Sequence, residues 1–365
     1  MEEKYLVDIC NPKQWKTIPK SELIEDGEFP VYGANGIIGR YNKYNHEKPT
    51  VLITCRGATC GNIHIAVPKA YINGNAMALD NLNEIICKKE YLYYFLQYYD
   101  ISKIISGTAQ PQITITGLKK VKVKLYSINK QEKIVNELNK INKLIELKEI
   151  QLEELQKLIK SQFVEMFGIP FLNNKNWTMG IIKELVREVK YGTSKPANGG
   201  KYKYLRMNNI TYEGKLDLNE MKYIDIEKDD KEKYVTKKGD ILFNRTNSKE
   251  LVGKTCVFDV EEEMIIAGFI IRVRVNDFAN PYFISEYLNT VYLKDKLRNM
   301  CKDASGQSNI NAKELQNIKI YIPPITLQNQ FSEIVKQIDK QKFEIEKSLK
   351  ETQELYESLM EKYFG

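Results

Sequence analysis

The amino-acid sequence predicts an α+β fold: two mixed, β-rich domains with helices, joined by two long helices that form an antiparallel coiled coil with pseudo-two-fold symmetry. Three observations carry this expectation. Residues 113–168 and 310–365 align without a gap at one constant offset of 197 (310 − 113). Each copy holds a short alternating apolar run and then a long run stepping by three and four. The stretches that precede the two copies look far less alike. Residues 1–129 and 169–326 therefore read as variable domains, and 130–168 and 327–365 as repeated helical regions.

The first variable domain reads as short strands divided by glycine turns, with one helix near 90–104. Pro30-Val31-Tyr32-Gly33-Ala34-Asn35-Gly36-Ile37-Ile38-Gly39 leads into Arg40, Tyr41 and Lys43. It is either a plain hairpin or a place where small residues let the backbone approach a groove while longer side chains reach out. Thr50-Val51-Leu52-Ile53-Thr54-Cys55 is a buried strand that delivers Arg56, Gly57, Ala58 and Thr59 at its end. Tyr91, Tyr93, Tyr94, Tyr98 and Tyr99 cluster on the helix and read as packing residues with a polar tip.

The strand before each long helix shows apolar residues at alternate positions: Val121, Val123 and Leu125, then Ile318, Ile320 and Ile322. Asn129 and Glu132 have capping-box spacing at the first helix start, and Pro323, Pro324 and Thr326 set the second. The predicted seam is Ile134, Leu138, Ile141, Ile145, Leu152, Leu155 and Ile159 in the first helix. In the second it is Phe331, Val335, Ile338, Ile345, Leu349, Tyr356 and Leu359. An amphipathic helix on a globular core is the plainer alternative, but matched length and frame favour pairing. Lys148 and Lys342 interrupt the seam and either fix register or snorkel to its rim. Gly168 and Gly365 stand where a terminating glycine belongs.

The second variable domain repeats the strand-then-arginine pattern in Asp240-Ile241-Leu242-Phe243-Asn244-Arg245, followed by Thr246, Asn247, Ser248 and Lys249. A polar loop precedes each repeat: Ser106 to Gln112 with Gln110 and Gln112, and Ser305 to Asn309 with Gln307 and Asn309. Each is a turn into the strand or a reader of adenine edges. Asn280 precedes Pro281 and is expected to cap the helix that begins there.

Charge separates the parts. The variable domains carry 16 basic against 12 acidic side chains and 26 against 21; the helical regions carry 7 against 7 and 6 against 8. A phosphate-binding surface needs uncompensated cations, so the excess assigns double-stranded DNA to the variable domains and protein partners to the helices. The DNA-contact candidates are Arg40, Tyr41, Lys43, Arg56, Thr59, Gln110 and Gln112 in the first domain. In the second they are Lys195, Asn244, Arg245, Asn247, Lys249, Gln307 and Asn309. Arginine can contact guanine O6 and N7 bidentately, and asparagine or glutamine can do likewise with adenine.

Other function classes find little support. The six cysteines form no CxxC pair, and with only His46 and His64 no zinc site is expected. No apolar run approaches a membrane span, the start MEEKYLVDIC is no signal peptide, and the expected compartment is reducing cytoplasm. Gly192-Thr193-Ser194-Lys195 is no phosphate loop, and Asn280-Pro281-Tyr282-Phe283 lacks the second proline of an amino-methyltransferase motif. No catalytic set stands out. The alternatives are a methyltransferase or nuclease with unrecognised motifs, and a coiled-coil scaffold that does not bind DNA.

Two variable domains, each followed by a strand and a long helix ending in Phe-Gly, resemble the specificity subunits of type I restriction–modification systems. Pro323-Pro324-Ile325-x-x-Gln328 and Gly239-Asp240-Ile241-Leu242-Phe243-x-Arg245 are similar to motifs of that family. The first copy departs from it with Tyr126-Ser127 in place of the proline pair. The resemblance covers essentially the whole chain. It implies that each variable domain is a target-recognition domain reading one half of a bipartite, asymmetric DNA sequence. It also implies a helical ruler that docks two adenine-N6 methyltransferase subunits, to which restriction or translocase subunits can be added. S-adenosylmethionine, ATP and Mg would then be bound by those partners, and this chain would carry no cofactor, no metal and no catalytic residue.

Overall fold

A computed structural model describes residues 2–34, 36–107, 110–301 and 308–365. The chain divides into two units, residues 1–149 with 346–365 and residues 150–345. Each unit thus holds one variable domain, part of the first long helix and part of the second.

In the first unit a four-stranded antiparallel sheet has the order Asn11–Gln14, Ala76–Asp80, Thr50–Thr54, Ile63–Ala66. The central strand Thr50–Thr54 is buried almost throughout, as its unbroken apolar run requires. The glycine-rich stretch is a hairpin, Phe29–Gly33 with Gly36–Tyr41, joined in parallel by Tyr71–Ile72. Gly36 turns that hairpin at φ +72°, in the left-handed region open to glycine.

The second unit repeats the plan. Its four-stranded sheet runs Val186–Tyr191, Ile270–Val275, Asp240–Asn244, Thr255–Phe258, again antiparallel. Its small sheet pairs Tyr202–Leu205 antiparallel with Lys222–Ile224 and parallel with Ile265–Ile266. In both units the first strand of the domain pairs with the strand before a long helix: Glu2–Tyr5 with Lys122–Leu125, and Thr178–Ile181 with Lys319–Ile322. One helix covers each sheet, Lys89–Tyr98 and Pro281–Asn289. Tyr91 donates its hydroxyl to the Lys124 carbonyl at 2.7 Å, and Tyr287 donates to Lys319 at 3.1 Å, so these tyrosines are packing residues as expected. Asn280 caps its helix, accepting from the Tyr282 N–H at 2.9 Å.

The long helices span Ile128–Phe167 and Ile325–Phe364, 40 residues each, or about 60 Å. Every predicted seam residue is buried or half-buried. Within the first unit Lys148 Nζ meets the Ser348 carbonyl at 2.9 Å and Thr352 Oγ1 at 2.6 Å, while Tyr363 reaches back to Glu137. Within the second, Lys342 Nζ meets Gln156 Oε1 at 2.8 Å, and the Phe163 and Phe331 rings lie 5.5 Å apart. Numbers rise along one helix as they fall along the other, so the pairing is antiparallel in each unit.

Beyond the predicted seam residues, Phe163, Phe167, Met360, Tyr363 and Phe364 are also buried. Phe364 packs beside Tyr91 and Phe95, and Phe167 against Phe283, so each Phe-Gly end enters a domain core. One expectation about the helices needs correction: Asn129 lies inside the first helix and does not cap it. The Ser127 carbonyl accepts from the Lys130 and Gln131 N–H groups, and Glu132 pairs with Lys88 at 2.8 Å. Gln131 and Gln328, matched at the repeat offset, are fully buried and tie both helix starts to their domains. Gln131 donates to the Ile86 and Tyr126 carbonyls and accepts from the Lys88 N–H. Gln328 makes the same three bonds with Phe278, Pro323 and Asn280. Among the described residues no helix is long and apolar enough to cross a membrane.

Candidate nucleic-acid interface

In each unit the central strand runs out of the sheet into a polar loop whose path is fixed by backbone hydrogen bonds. The Thr54 carbonyl accepts from the Gly61 N–H, and the Asn244 carbonyl from the Gly253 N–H, both at 2.8 Å. The two glycines adopt φ +101° and +82°, positions that resist any other residue. One residue further on, the Cys55 N–H donates to Asn75 and its carbonyl accepts from Ile113, at 3.0 Å each. The Arg245 N–H donates to Phe269 and its carbonyl accepts from Ile310, at 2.9 Å each. Ile113 and Ile310 are matched residues of the repeat, so Arg245 occupies the place of Cys55.

The two arginines are therefore one residue out of step, contrary to the parallel reading of their sequence pattern. Arg56 corresponds to Thr246: Arg56 bridges to Gln112, and Thr246 pairs with Asn309. A shift of one residue in extended backbone sends the side chain to the opposite face. Arg56 is exposed next to the exposed Gln112. Arg245 is half-buried with its guanidinium stacked on the Tyr191 ring, 4.8 Å from the centroid. Its Nη1 reaches the Gly268 carbonyl only at 3.5 Å, and its Nε is buried without a partner. Donors held in place yet weakly used suit a guanidinium that awaits an acceptor.

The other candidates divide. Gln112 is exposed opposite Arg56, and Gln110 is exposed two residues before it; Asn309 is exposed and Asn247 half-buried on the strand pair just after Arg245. Lys249 is exposed on the next turn. Lys195 lies two residues beyond Thr193, whose carbonyl accepts from Gly268, but its ammonium is 3.5 Å from Asp230, which compensates part of its charge. Asn244 is fully buried, accepting from the Thr246 N–H, so it shapes the loop from below rather than facing a ligand. Thr59 donates to the Ala34 carbonyl and is an internal tie between two loops. Arg40 donates to the carbonyls of Gly27 and Glu28, and Tyr41 packs edge-on against Tyr71 at 5.9 Å. They and the exposed Lys43 lie at the far end of the hairpin strand that starts at Gly36, away from Arg56. Gln307 lies outside the described residues.

The sequence reading missed Tyr191 and Phe269, which flank Arg245 and are 42% and 47% exposed. A phenylalanine directly after a glycine, Gly268-Phe269, was the available signal. It also missed a buried charge cluster on the same sheet. Arg272 is fully buried, donating to Glu188 at 2.6 Å, and Arg274 donates to Glu188 at 2.9 Å and to Asp240 at 2.8 Å. Burial opposes ionisation of Glu188. Hydrogen bonds from Lys190 and Arg272 and the charges of Arg272 and Arg274 outweigh it and hold the carboxyl at about 2. Beside the loop, burial pushes the Lys254 ammonium below its ordinary value, and its Nζ bonds the Met207 carbonyl at 3.0 Å. Among the described residues no group of three or more His, Cys, Asp or Glu could hold a metal ion.

The family described as the type I restriction modification DNA specificity domain matches residues 1–157 and 174–355. This chain belongs to that family. A Methanocaldococcus jannaschii protein named for the MjaX type I restriction enzyme specificity subunit is 28% identical over 195 residues, 52% of this chain and 46% of the relative. That match thus spans less than half of the relative's length. A second protein of that organism, the MjaVIII specificity subunit, is 24% identical over 369 residues, 90% of this chain and 85% of the relative. The crystal structure of a type I restriction–modification S subunit from M. genitalium has the same fold, with a TM-score of 0.66 at 18% identity, over 100% of this chain and 96% of that one.

Proposed function

We propose that this chain is the DNA-binding specificity subunit of a type I restriction–modification complex and has no catalytic function of its own. Each recognition domain reads one half of a bipartite target through the loops at the end of its central strand. One observation carries the reading. Two domains of this family keep the same backbone hydrogen bonds at those loops but present different side chains there. Two readers with one frame and unlike surfaces suit an asymmetric sequence. The long helices set the gap between half-sites and dock two methyltransferase subunits. A helix of about 60 Å exceeds one DNA turn of about 34 Å, which is the scale a spacer requires. S-adenosylmethionine, and ATP with Mg where cleavage occurs, belong to the partners. The site of action is the cytoplasm, where the DNA is.

Sequencing of adenine methylation in the host, with and without this gene, tests the proposal. The expected result is a split motif that disappears with the gene. Methylation that persists unchanged, or methyl transfer by the purified chain alone, overturns it.

A further inference from the structure

We propose that Phe269 is a base-reading side chain of the second recognition domain, making apolar contact with a thymine methyl beside the base addressed by Arg245. This rests on the DNA-binding reading above and adds to it a residue and the chemical group it recognises.

A single exposed apolar side chain ordinarily means nothing. Phe269 differs in how it is held and in what surrounds it. Its turn is fixed by three backbone hydrogen bonds: Gly268 N–H to Thr193, Ile270 N–H to Ala267, and Arg245 N–H to Phe269 itself, all between 2.8 and 2.9 Å. The half-exposed ring therefore stands on rigid backbone. On the other side of Arg245, the Tyr191 hydroxyl accepts from the Ala312 N–H at 2.8 Å, which steadies the ring under the guanidinium. An aromatic ring, an arginine with open donors and a second aromatic ring share one surface.

The first domain supplies the control. Strand pairing matches Tyr191 with Gln14, because each opposes the same position of the neighbouring strand, Ile271 and Met77. The backbone bonds match Arg245 with Cys55 and Phe269 with Asn75. There, Gln14 Nε2 bonds Cys55 Sγ at 3.0 Å, and the thiol is fully buried. The backbone is common to both domains while all three side chains change together. Positions that vary on a kept frame are where a reader of sequence belongs.

The arginine selects the groove. A guanidinium finds its bidentate partners, guanine O6 and N7, on the major-groove edge. The apolar feature of that same edge is the thymine 5-methyl group, whereas wedge-like insertion between base pairs is a minor-groove device. A phenyl ring rooted beside Arg245 faces the first of these.

The test uses the full chain assembled with its methyltransferase subunits and duplexes carrying the target found by methylation sequencing. Each thymine of the second half-site is replaced in turn by uracil, which removes only the methyl. We expect one position at which uracil weakens wild-type binding about fourfold, the worth of one buried methyl. F269A should show the same weakening on the thymine duplex and no further loss on uracil; F269L, the safeguard should F269A not fold, should keep part of the thymine preference. The first half-site should be indifferent. The inference is overturned if no thymine of the second half-site is sensitive in the wild type, or if the Phe269 variants discriminate thymine from uracil as the wild type does. Absence of any sequence-specific binding by the wild-type complex would instead refute the DNA-binding reading itself.

Discussion

At the end of the central strand the first unit has a buried thiol, Cys55, bonded by Gln14, while the second has Arg245 stacked on Tyr191. One residue later the roles reverse: Arg56 is exposed beside Gln112, and its counterpart Thr246 bonds Asn309. Each domain thus has one arginine at its loop, presented from a different step of the same frame. The main chain keeps its hydrogen bonds because losing a buried one costs about 1–3 kcal/mol. Side chains at the loop carry no such constraint and are free to differ. A second contrast lies in the sheet itself. The residue opposite Leu242 is Arg272, and the one opposite the equivalent Leu52 is Ala78. The second unit buries a charge where the first buries a methyl.

That contrast predicts the largest difference in stability. Arg272→Ala removes the fully buried member of the cluster around Glu188, which keeps Lys190 and Arg274, and breaking a buried pair costs up to about 3–5 kcal/mol. Hydrogen exchange should rise across 186–275 and stay unchanged across 11–80; equal loosening of both would show that the cluster does not belong to one domain. The same site gives a pH test. Glu188 has its folded carboxyl depressed to about 2, below the ordinary value of about 4.3. Its contribution is complete above about 4.3 and is lost as pH falls toward 2. The second unit should lose protection in that window, and E188Q should flatten the loss. The first unit has Asn11 at the corresponding pairing position, opposite Asp80, and should show no such component there.

At the interface the expected effects are smaller and should separate by half-site. Arg56→Ala and Arg245→Ala should each weaken binding by about 1–3 kcal/mol, the first only on duplexes altered in one half, the second only in the other. Competition with duplexes carrying either half alone would read this out. Loss at the same half for both variants would sink the assignment of one reader to each domain.

What the sequence disclosed and what it withheld have different physical origins. Helices and their seam were legible because steps of three and four are local, and Ile134 to Ile159 and Phe331 to Leu359 are buried or half-buried as that spacing demands. The strands before the helices were legible by alternation. The matched glutamines were visible as a repeat, but their task was not, because their partners at 86–88 and 278–280 lie some fifty residues away. The register of Arg56 against Arg245 was hidden for the same reason: it is set by Ile113 and Ile310. Tyr191 ends one strand and Phe269 sits in the turn before another, and they meet Arg245 only through sheet order. Asn244 and Thr59 had the right chemistry for a reader, yet burial and an internal hydrogen bond use them within the fold.

The smallest effect is expected in the paired helices, where the two units differ by an exchange. Lys148 stands at the repeat position of Ile345, and Lys342 at that of Ile145. In the first unit the lysine comes from the first helix and finds acceptors at Ser348 and Thr352; in the second it comes from the second helix and finds Gln156. A satisfied polar group at a seam disfavours slipped alignments, because slippage would leave the ammonium against apolar neighbours. Lys148→Ile gives the first copy the residue of the second. It removes the desolvation of one ammonium but leaves Thr352 facing an apolar group, so the net change should stay within about 1 kcal/mol. Specificity of register should suffer instead. A cysteine pair placed to crosslink only the native alignment, at one position on each helix of the first unit, should close completely in the wild type and incompletely in the variant. Complete closure in both would mean that the apolar seam alone fixes the register and that Lys148 merely tolerates its place.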